Sequence, residues 1–168
     1  VLSRKLGAPG NPELAIGAIS EDGKLFLDEA IRERMGEYED LQEYVERERE
    51  KRYAEIAKRI ARYRDIRPKV PLKGRVVVVT DDGIATGATM QASLWSARRE
   101  EPGKLIAAVP VASLDALERI AVDADEAVAL KVPPYFQAVG QFYTRFGQTT
   151  DEEVISILQK SVGRGAHG

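Results

Sequence analysis

Apolar positions along the chain change their period several times, and each change predicts an element. Leu14-Ala15-Ile16-Gly17-Ala18-Ile19 is a short apolar run that predicts a strand. Lys24-Leu25-Phe26-Leu27 reads as its return strand across the turn Glu21-Asp22-Gly23. Val1-Leu2 reads as the end of an earlier strand, and Arg4 to Pro12, dense in Gly and Pro, as a loop. Asp28 is placed to cap a short helix that ends near Gly36. From Glu39 to Arg64 the period is helical, with Leu41, Tyr44, Val45, Tyr53, Ile56, Ala57 and Ile60 on one stripe. The stripe breaks between Glu46 and Arg52, where every residue is charged. Glu43 with Arg47, Glu48 with Arg52 and Glu55 with Arg59 stand four apart with the acid first, so this stretch can stand in water. Ile66-Arg67-Pro68 stops the helix.

Beyond Pro68 strand and helix alternate. Arg75 to Thr80, Leu105 to Val111 and Glu126 to Leu130 read as strands; Thr89 to Arg99 and Leu114 to Ala121 read as the helices between them. That order predicts an α/β fold, a Rossmann-like parallel sheet flanked by helices. Val76-Val77-Val78-Val79 is apolar at every position, as a central parallel strand is. Leu94 and Trp95 are expected in the core. Val132 to Gly147 is irregular and aromatic, and Asp151 to Gln159 is a closing helix with Thr149 or Thr150 as its cap. One domain is expected over residues 1–162, with a disordered tail at 163–168.

Composition narrows the function. The 168 residues carry 25 basic and 27 acidic side chains, a net charge of -2 that gives no reason to expect a nucleic-acid or membrane partner. With no cysteine, thiolate nucleophiles and cysteine metal sites are excluded. A cytoplasmic location fits. His167, the single histidine, lies in the tail and is read as idle.

The chemistry concentrates between Val76 and Met90. A buried strand leads into two carboxylates, Asp81 and Asp82, and then into Gly83-Ile84-Ala85-Thr86-Gly87-Ala88-Thr89, which opens a helix. In open α/β sheets ligands bind beyond the carboxyl ends of strands, where this loop sits. Ala85, Gly87 and Ala88 are small enough for backbone N–H groups to approach an anion. Thr86 and Thr89 add hydroxyl donors, and the positive end of the helix favours phosphate. Asp81 and Asp82 suit the two hydroxyls of a ribose and can stabilise positive charge at its anomeric carbon. No Gly-Lys-Ser/Thr follows, so this is not a Walker loop, and the dinucleotide spacing of glycines is absent.

This segment resembles the motif by which type I phosphoribosyltransferases bind 5-phosphoribosyl-1-pyrophosphate (PRPP): an apolar strand, two acids, then Thr-Gly-x-Thr. The resemblance implies that fold, with a hood region and a long charged helix. It implies that Asp81 and Asp82 hold the ribose, and that Ala85, Thr86, Gly87, Ala88 and Thr89 hold the 5-phosphate. Magnesium is implied only as carried by PRPP, with no direct protein ligand. Arg4-Lys5-Leu6-Gly7 resembles the Arg-Lys pair that begins a flexible catalytic loop in several members, which makes Arg4 and Lys5 candidates to neutralise departing pyrophosphate. Arg4 to Glu13, Ala15 to Ala18, the charged helix and Tyr63-Arg64 resemble one bacterial branch of the family, so the resemblance runs from Val1 to about Ile157. The family has a strand and a pyrophosphate loop upstream of the Arg-Lys pair, and this sequence does not contain them.

In the aromatic segment Tyr135 and Phe136, with Phe142 and Tyr143, are candidates to stack on an acceptor in the hood, or else to pack the core. The expected activity is transfer of phosphoribosyl from PRPP to a small, nitrogenous acceptor that the sequence does not name. The alternatives are a non-catalytic PRPP-binding regulator and a module joined to another catalytic domain. A homodimer is implied, because the mobile loop in the family often serves a neighbouring subunit.

Overall fold

Two three-stranded sheets share one helix. The computed structural model describes residues 2–21, 23–28, 31, 33, 39–147 and 149–164. Strands β1 (Ser3–Ala8), β2 (Asn11–Ser20) and β3 (Leu25–Leu27) form an antiparallel sheet in that order. Strands β4 (Val76–Thr80), β5 (Lys104–Val111) and β6 (Glu126–Lys131) form a parallel sheet in that order. Helix α1 (Glu39–Arg64) joins the sheets, α2 (Ala88–Arg98) links β4 to β5, and α3 (Leu114–Ala121) links β5 to β6. A 3-10 turn at Val139–Phe142 and α4 (Asp151–Arg164) complete the order. The sequence therefore locates the parallel half to within a residue or two. The helix expected after Asp28 lies largely outside the described residues, as do 165–168 of the expected tail. Helix α4 runs on to Arg164, past the expected end at Gln159.

The N-terminal stretch differs from its expectation. Arg4 to Pro12 is not a loop: Ser3 to Ala8 pairs with β2, Arg4 opposite Ile19 and Lys5 opposite Ala18, and only the tip turns. Gly and Pro signal a break without saying how long it is. Here Leu6, fully buried, anchors the strand. Leu6, Ile16 and Ile19 pack against Val45 and Ile56 of α1. Those two helix residues are about three turns apart and so share one side; of the charged run between them Glu46, Arg47, Glu50 and Lys51 are exposed, whereas Glu48 and Arg52 are partly buried. Of the three acid-first pairs, Glu48–Arg52 forms at 3.2 Å. Arg47 instead lies over the Tyr44 ring, and Arg59 reaches Asp151 at 3.3 Å.

Asp151 ties α4 to α1. The Tyr63 hydroxyl donates to it at 2.7 Å, and Arg59 and Arg62 flank it. The Tyr63 hydrogen bond, ahead of these cations, holds its carboxyl below the usual range. Thr150 caps the helix: its hydroxyl accepts from the Glu153 N–H, while Glu153 accepts from the Thr150 N–H.

The parallel sheet has two unlike faces. Val77, Val79, Leu105, Ala107 and Val109 meet Met90, Leu94 and Ala97 of α2 and Ala116 and Ile120 of α3. On the other face Val76 is 67% exposed, Val78 56% and Leu130 84%. Among the described residues β4 is an edge strand covered on one side, not the central strand that its four valines suggest. No helix among the described residues is long and apolar enough to cross a membrane.

Burial of Leu6 gives a direct check on the strand. Leu6→Ala is expected to cost about 2–5 kcal/mol, the range for removing a buried leucine side chain. Urea denaturation would measure it, and a loss within error of zero would mean that Arg4 to Gly7 is the mobile loop of the sequence expectation.

Candidate functional site

The site begins where β4 ends. Asp81 and Asp82 follow Thr80 directly and are both exposed, beyond the carboxyl edge of the parallel sheet. The Asp81 carboxylate accepts from the Asp82 N–H at 3.0 Å, which fixes the turn out of the strand. Burial, then the neighbouring Asp81 charge, raises the Asp82 pKa above its ordinary 3.8, against backbone N–H donors that lower it.

The chain then runs beside the end of β5. The Ile84 N–H donates to the Val111 carbonyl at 2.9 Å, and the Ser113 N–H donates to the Ile84 carbonyl at 3.0 Å. Ile84 and Ala112 thus make one more parallel bridge beyond the strands. The apolar Ile84 side chain is buried in the core below the loop. This bond pair explains why a single isoleucine interrupts an otherwise small and polar run.

Residues 85–87 form the loop proper. Gly87 is the cap of α2 with φ +81°, the left-handed region that glycine enters without strain. A Cβ on it would also come to 3.3 Å from Ile120 of α3. Ala85, Thr86 and Thr89 are exposed, whereas Gly87, Ala88 and Met90 are buried. The Thr86 hydroxyl lies 3.5 Å from the Ala88 N–H. Asp81, residues 83–90 and Val139 line a cavity of about 160 Å³. Of the seven residues expected to hold ribose and phosphate, Asp81, Ala85, Thr86, Gly87, Ala88 and Thr89 line this cavity; Asp82, next to Asp81 in the chain, does not line it. The cavity thus sets the start of α2, the positive end of a helix, beside the carboxylate-bearing Asp81.

Arg4 and Lys5 are not part of that cavity. Both lie on β1, and Arg4 is 4.0 Å from Glu55 of α1. Their strand does touch the site's helix, through Ser3 and Ser93, whose hydroxyls are 3.1 Å apart.

The aromatic segment sits against the site through Tyr143 of the four aromatic candidates, and not through Tyr135 or Phe136. Tyr135 is 86% exposed, and Phe136 packs on Phe142 with ring centres 5.4 Å apart. Tyr143 makes the closest link, its hydroxyl donating to the Asp82 carbonyl. Val139 lines the cavity, and a Cβ on Gly83 would come to 2.7 Å from it and 2.9 Å from Val111. A second cavity, of about 490 Å³, opens beside Val111, Lys131, Phe142 and Tyr143. Among the described residues no group of three or more His, Asp or Glu side chains could hold a metal ion.

Sequence reasoning missed Ser113 and Arg119, both on the far side of the loop. The Ser113 hydroxyl donates to the Ala85 carbonyl at 2.9 Å, and Arg119 Nη1 donates to the Thr86 carbonyl at 3.0 Å. Ser113 is legible as a helix cap, since its hydroxyl also accepts from the Ala116 N–H. Nothing in the sequence signals its second bond, because it spans 28 positions.

The chain is similar to known proteins. No protein-family model matches the chain. Two proteins of Mycobacterium tuberculosis, from strains CDC 1551 / Oshkosh and ATCC 25618 / H37Rv, each bear the name "Putative phosphoribosyl transferase". Each is 44% identical to this chain over 161 residues, 94% of it. The chain spans 35% of the length of these curated relatives. The crystal structure of TT1426 from Thermus thermophilus is 48% identical and superposes with a TM-score of 0.84, covering 95% of this chain and 74% of that one.

The raised pKa of Asp82 has a consequence for folding. Between 3.8 and the raised value the folded chain holds the proton more tightly than the unfolded one, so stability falls as pH rises through that window. Asp82→Asn is expected to be more stable than the parent at neutral pH, with the difference vanishing below 3.8. Urea melts from about pH 3 to pH 7 would show this. A variant no more stable at neutral pH would contradict the burial and repulsion assigned to Asp82.

Proposed function

This chain belongs to the phosphoribosyltransferase family, and we propose that it binds PRPP at the cavity beside Asp81 and transfers its phosphoribosyl group to a small acceptor. The observation that carries the reading is the meeting of the Asp81 carboxylate, with Asp82 next to it in the chain, and a glycine-capped helix start around one small cavity. In this reading the 5-phosphate occupies the loop 85–89, held by backbone N–H groups, the hydroxyls of Thr86 and Thr89 and the positive end of α2. Asp81 and Asp82 accept from the ribose hydroxyls.

The reaction follows from that placement. A nitrogen lone pair of the acceptor forms the new bond to C1 of the ribose. The bond from C1 to the pyrophosphate oxygen breaks, and pyrophosphate leaves with its electron pair. The carboxylates below the sugar stabilise the positive charge that gathers on C1 and the ring oxygen as that bond lengthens. Magnesium would enter with PRPP as part of the substrate and would offset the charge of its phosphates. The acceptor would approach from the side of the aromatic segment, where the larger cavity lies against Phe142 and Tyr143.

A second reading, binding without turnover, is favoured by the position of Arg4 and Lys5 on β1, Arg4 close to Glu55. Release of pyrophosphate from PRPP, in the presence of any acceptor, separates the two.

Titration calorimetry with PRPP and magnesium tests the site itself. The parent chain is expected to bind, and the double variant Asp81→Asn, Asp82→Asn to lose at least about tenfold in affinity, since hydrogen bonds to charged groups are worth about 1.5–3 kcal/mol. Equal affinity in the double variant would remove the carboxylates from the site, and a folded parent chain that does not bind would sink the proposal for this chain.

A further inference from the structure

Two peptide carbonyls of the loop each have a donor waiting on the next element. The Ala85 carbonyl takes the Ser113 hydroxyl at 2.9 Å, and the Thr86 carbonyl takes the Arg119 guanidinium at 3.0 Å. Both donors belong to α3 or its cap. A peptide unit is planar and trans, so its C=O and the following N–H point in opposite directions. Drawing the Ala85 carbonyl towards α3 turns the Thr86 N–H away from it. Drawing the Thr86 carbonyl the same way turns the Gly87 N–H away as well. Among the described residues no protein acceptor engages either N–H. Both residues line the small cavity.

We propose that Ser113 and Arg119 are positioning residues for a bound phosphate: they hold the loop by its carbonyls so that two successive N–H groups stay aimed at the anion. This rests on the reading of residues 85–89 as the phosphate loop. The arrangement has three supports that do not depend on one another. First, successive N–H groups turned to one side make an anion-binding concavity. Second, the guanidinium places a fixed positive charge one peptide behind the anion. It also polarises the Thr86–Gly87 peptide in the sense that strengthens its N–H as a donor. Third, the neighbouring packing leaves the loop no other path. Gly87 is buried against α3, with Ile120 and Ala116 within 4 Å of where a Cβ would stand.

The two residues are not equivalent. Ser113 is shared, because it also caps α3, so replacing it disturbs the helix as well as the loop. Arg119 is exposed and makes no described ion pair; it also lines the clefts beside Asp28 and Gln91, but its replacement leaves the α3 cap in place. Its ordinary appearance as one more surface cation on a helix hides the bond it makes 33 positions earlier in the chain.

The test uses Arg119→Ala, with Arg119→Lys to restore a charged donor, and reads two quantities. Backbone 15N relaxation of the ligand-free chain reports the order of the Thr86 and Gly87 amides. Titration with ribose 5-phosphate, against ribose as control, reports phosphate affinity. Arg119→Ala is expected to loosen those two amides, to leave the rest of α2 as ordered as before, and to weaken ribose 5-phosphate binding by roughly three- to tenfold, the scale of one exposed charge-assisted bond. Arg119→Lys is expected to recover most of both. Unchanged order at Thr86 and Gly87 in Arg119→Ala overturns the proposal, as does unchanged affinity in a chain whose parent binds. If the parent does not bind ribose 5-phosphate, the PRPP reading falls, and the relaxation comparison still decides whether α3 holds the loop.

Discussion

Helix α2 is buried on two sides, and the rest of the arrangement follows from that constraint. Its residues Met90, Leu94 and Ala97 enter the core under the parallel sheet. Ala92, Ser96 and Ala88 are buried too, so the helix is covered nearly all round. The antiparallel sheet lies along it, with Ser3 beside Ser93. Small residues, Ala88, Ala92, Ser93 and Ala97, are what allow two sheets to approach one helix so closely. A helix held this firmly has a start that cannot drift. The glycine-capped loop at that start inherits its position from packing rather than from its own sequence, which is too small and polar to hold itself.

Three separate pieces of chain then fix the exit from β4. The end of β5 takes Ile84 as a further ladder partner, α3 takes the carbonyls of Ala85 and Thr86, and Tyr143 takes the carbonyl of Asp82. All of these bonds are made to the backbone. The Asp81 carboxylate takes the Asp82 N–H, and the Thr86 hydroxyl lies near the Ala88 N–H, so these side chains are positioned as well. A loop tethered in this way is what preorganisation requires, because little has to be rearranged when a ligand arrives.

Much of this was legible in the sequence, for identifiable reasons. The run from Val76 to Met90 carries local signals: β-branched residues, then carboxylates, then small residues. Each of these reports its own backbone, so the strand, the loop and the helix start fall where expected. The same holds for the Thr150 cap. What failed was non-local. Gly7, Pro9, Gly10 and Pro12 suggested a long loop, yet the burial of Leu6 under α1 carries the strand to Ala8. Four consecutive valines suggested a central strand, yet exposure of Val76 and Val78 is decided by what stands beside them, which no local pattern contains. Ser113 and Arg119 went unnoticed for the same reason, and of the four aromatic candidates no local pattern picks out Tyr143 as the one bonded to Asp82.

Position 83 shows how such a site constrains its own evolution. Gly83 has Val139 on one side and Val111 on the other, both closer to a notional Cβ than real atoms come, and the Val111 carbonyl at 3.1 Å. Its neighbours belong to two different parts of the chain: the end of β5 and the turn before Tyr143. A side chain at 83 could therefore be admitted only if both valines gave way, and the Val111 carbonyl would still crowd it. The three positions form an epistatic set. Drift in the aromatic segment, which sequence divergence would otherwise tolerate, is tied through one absent methyl group to the residue that follows the two carboxylates.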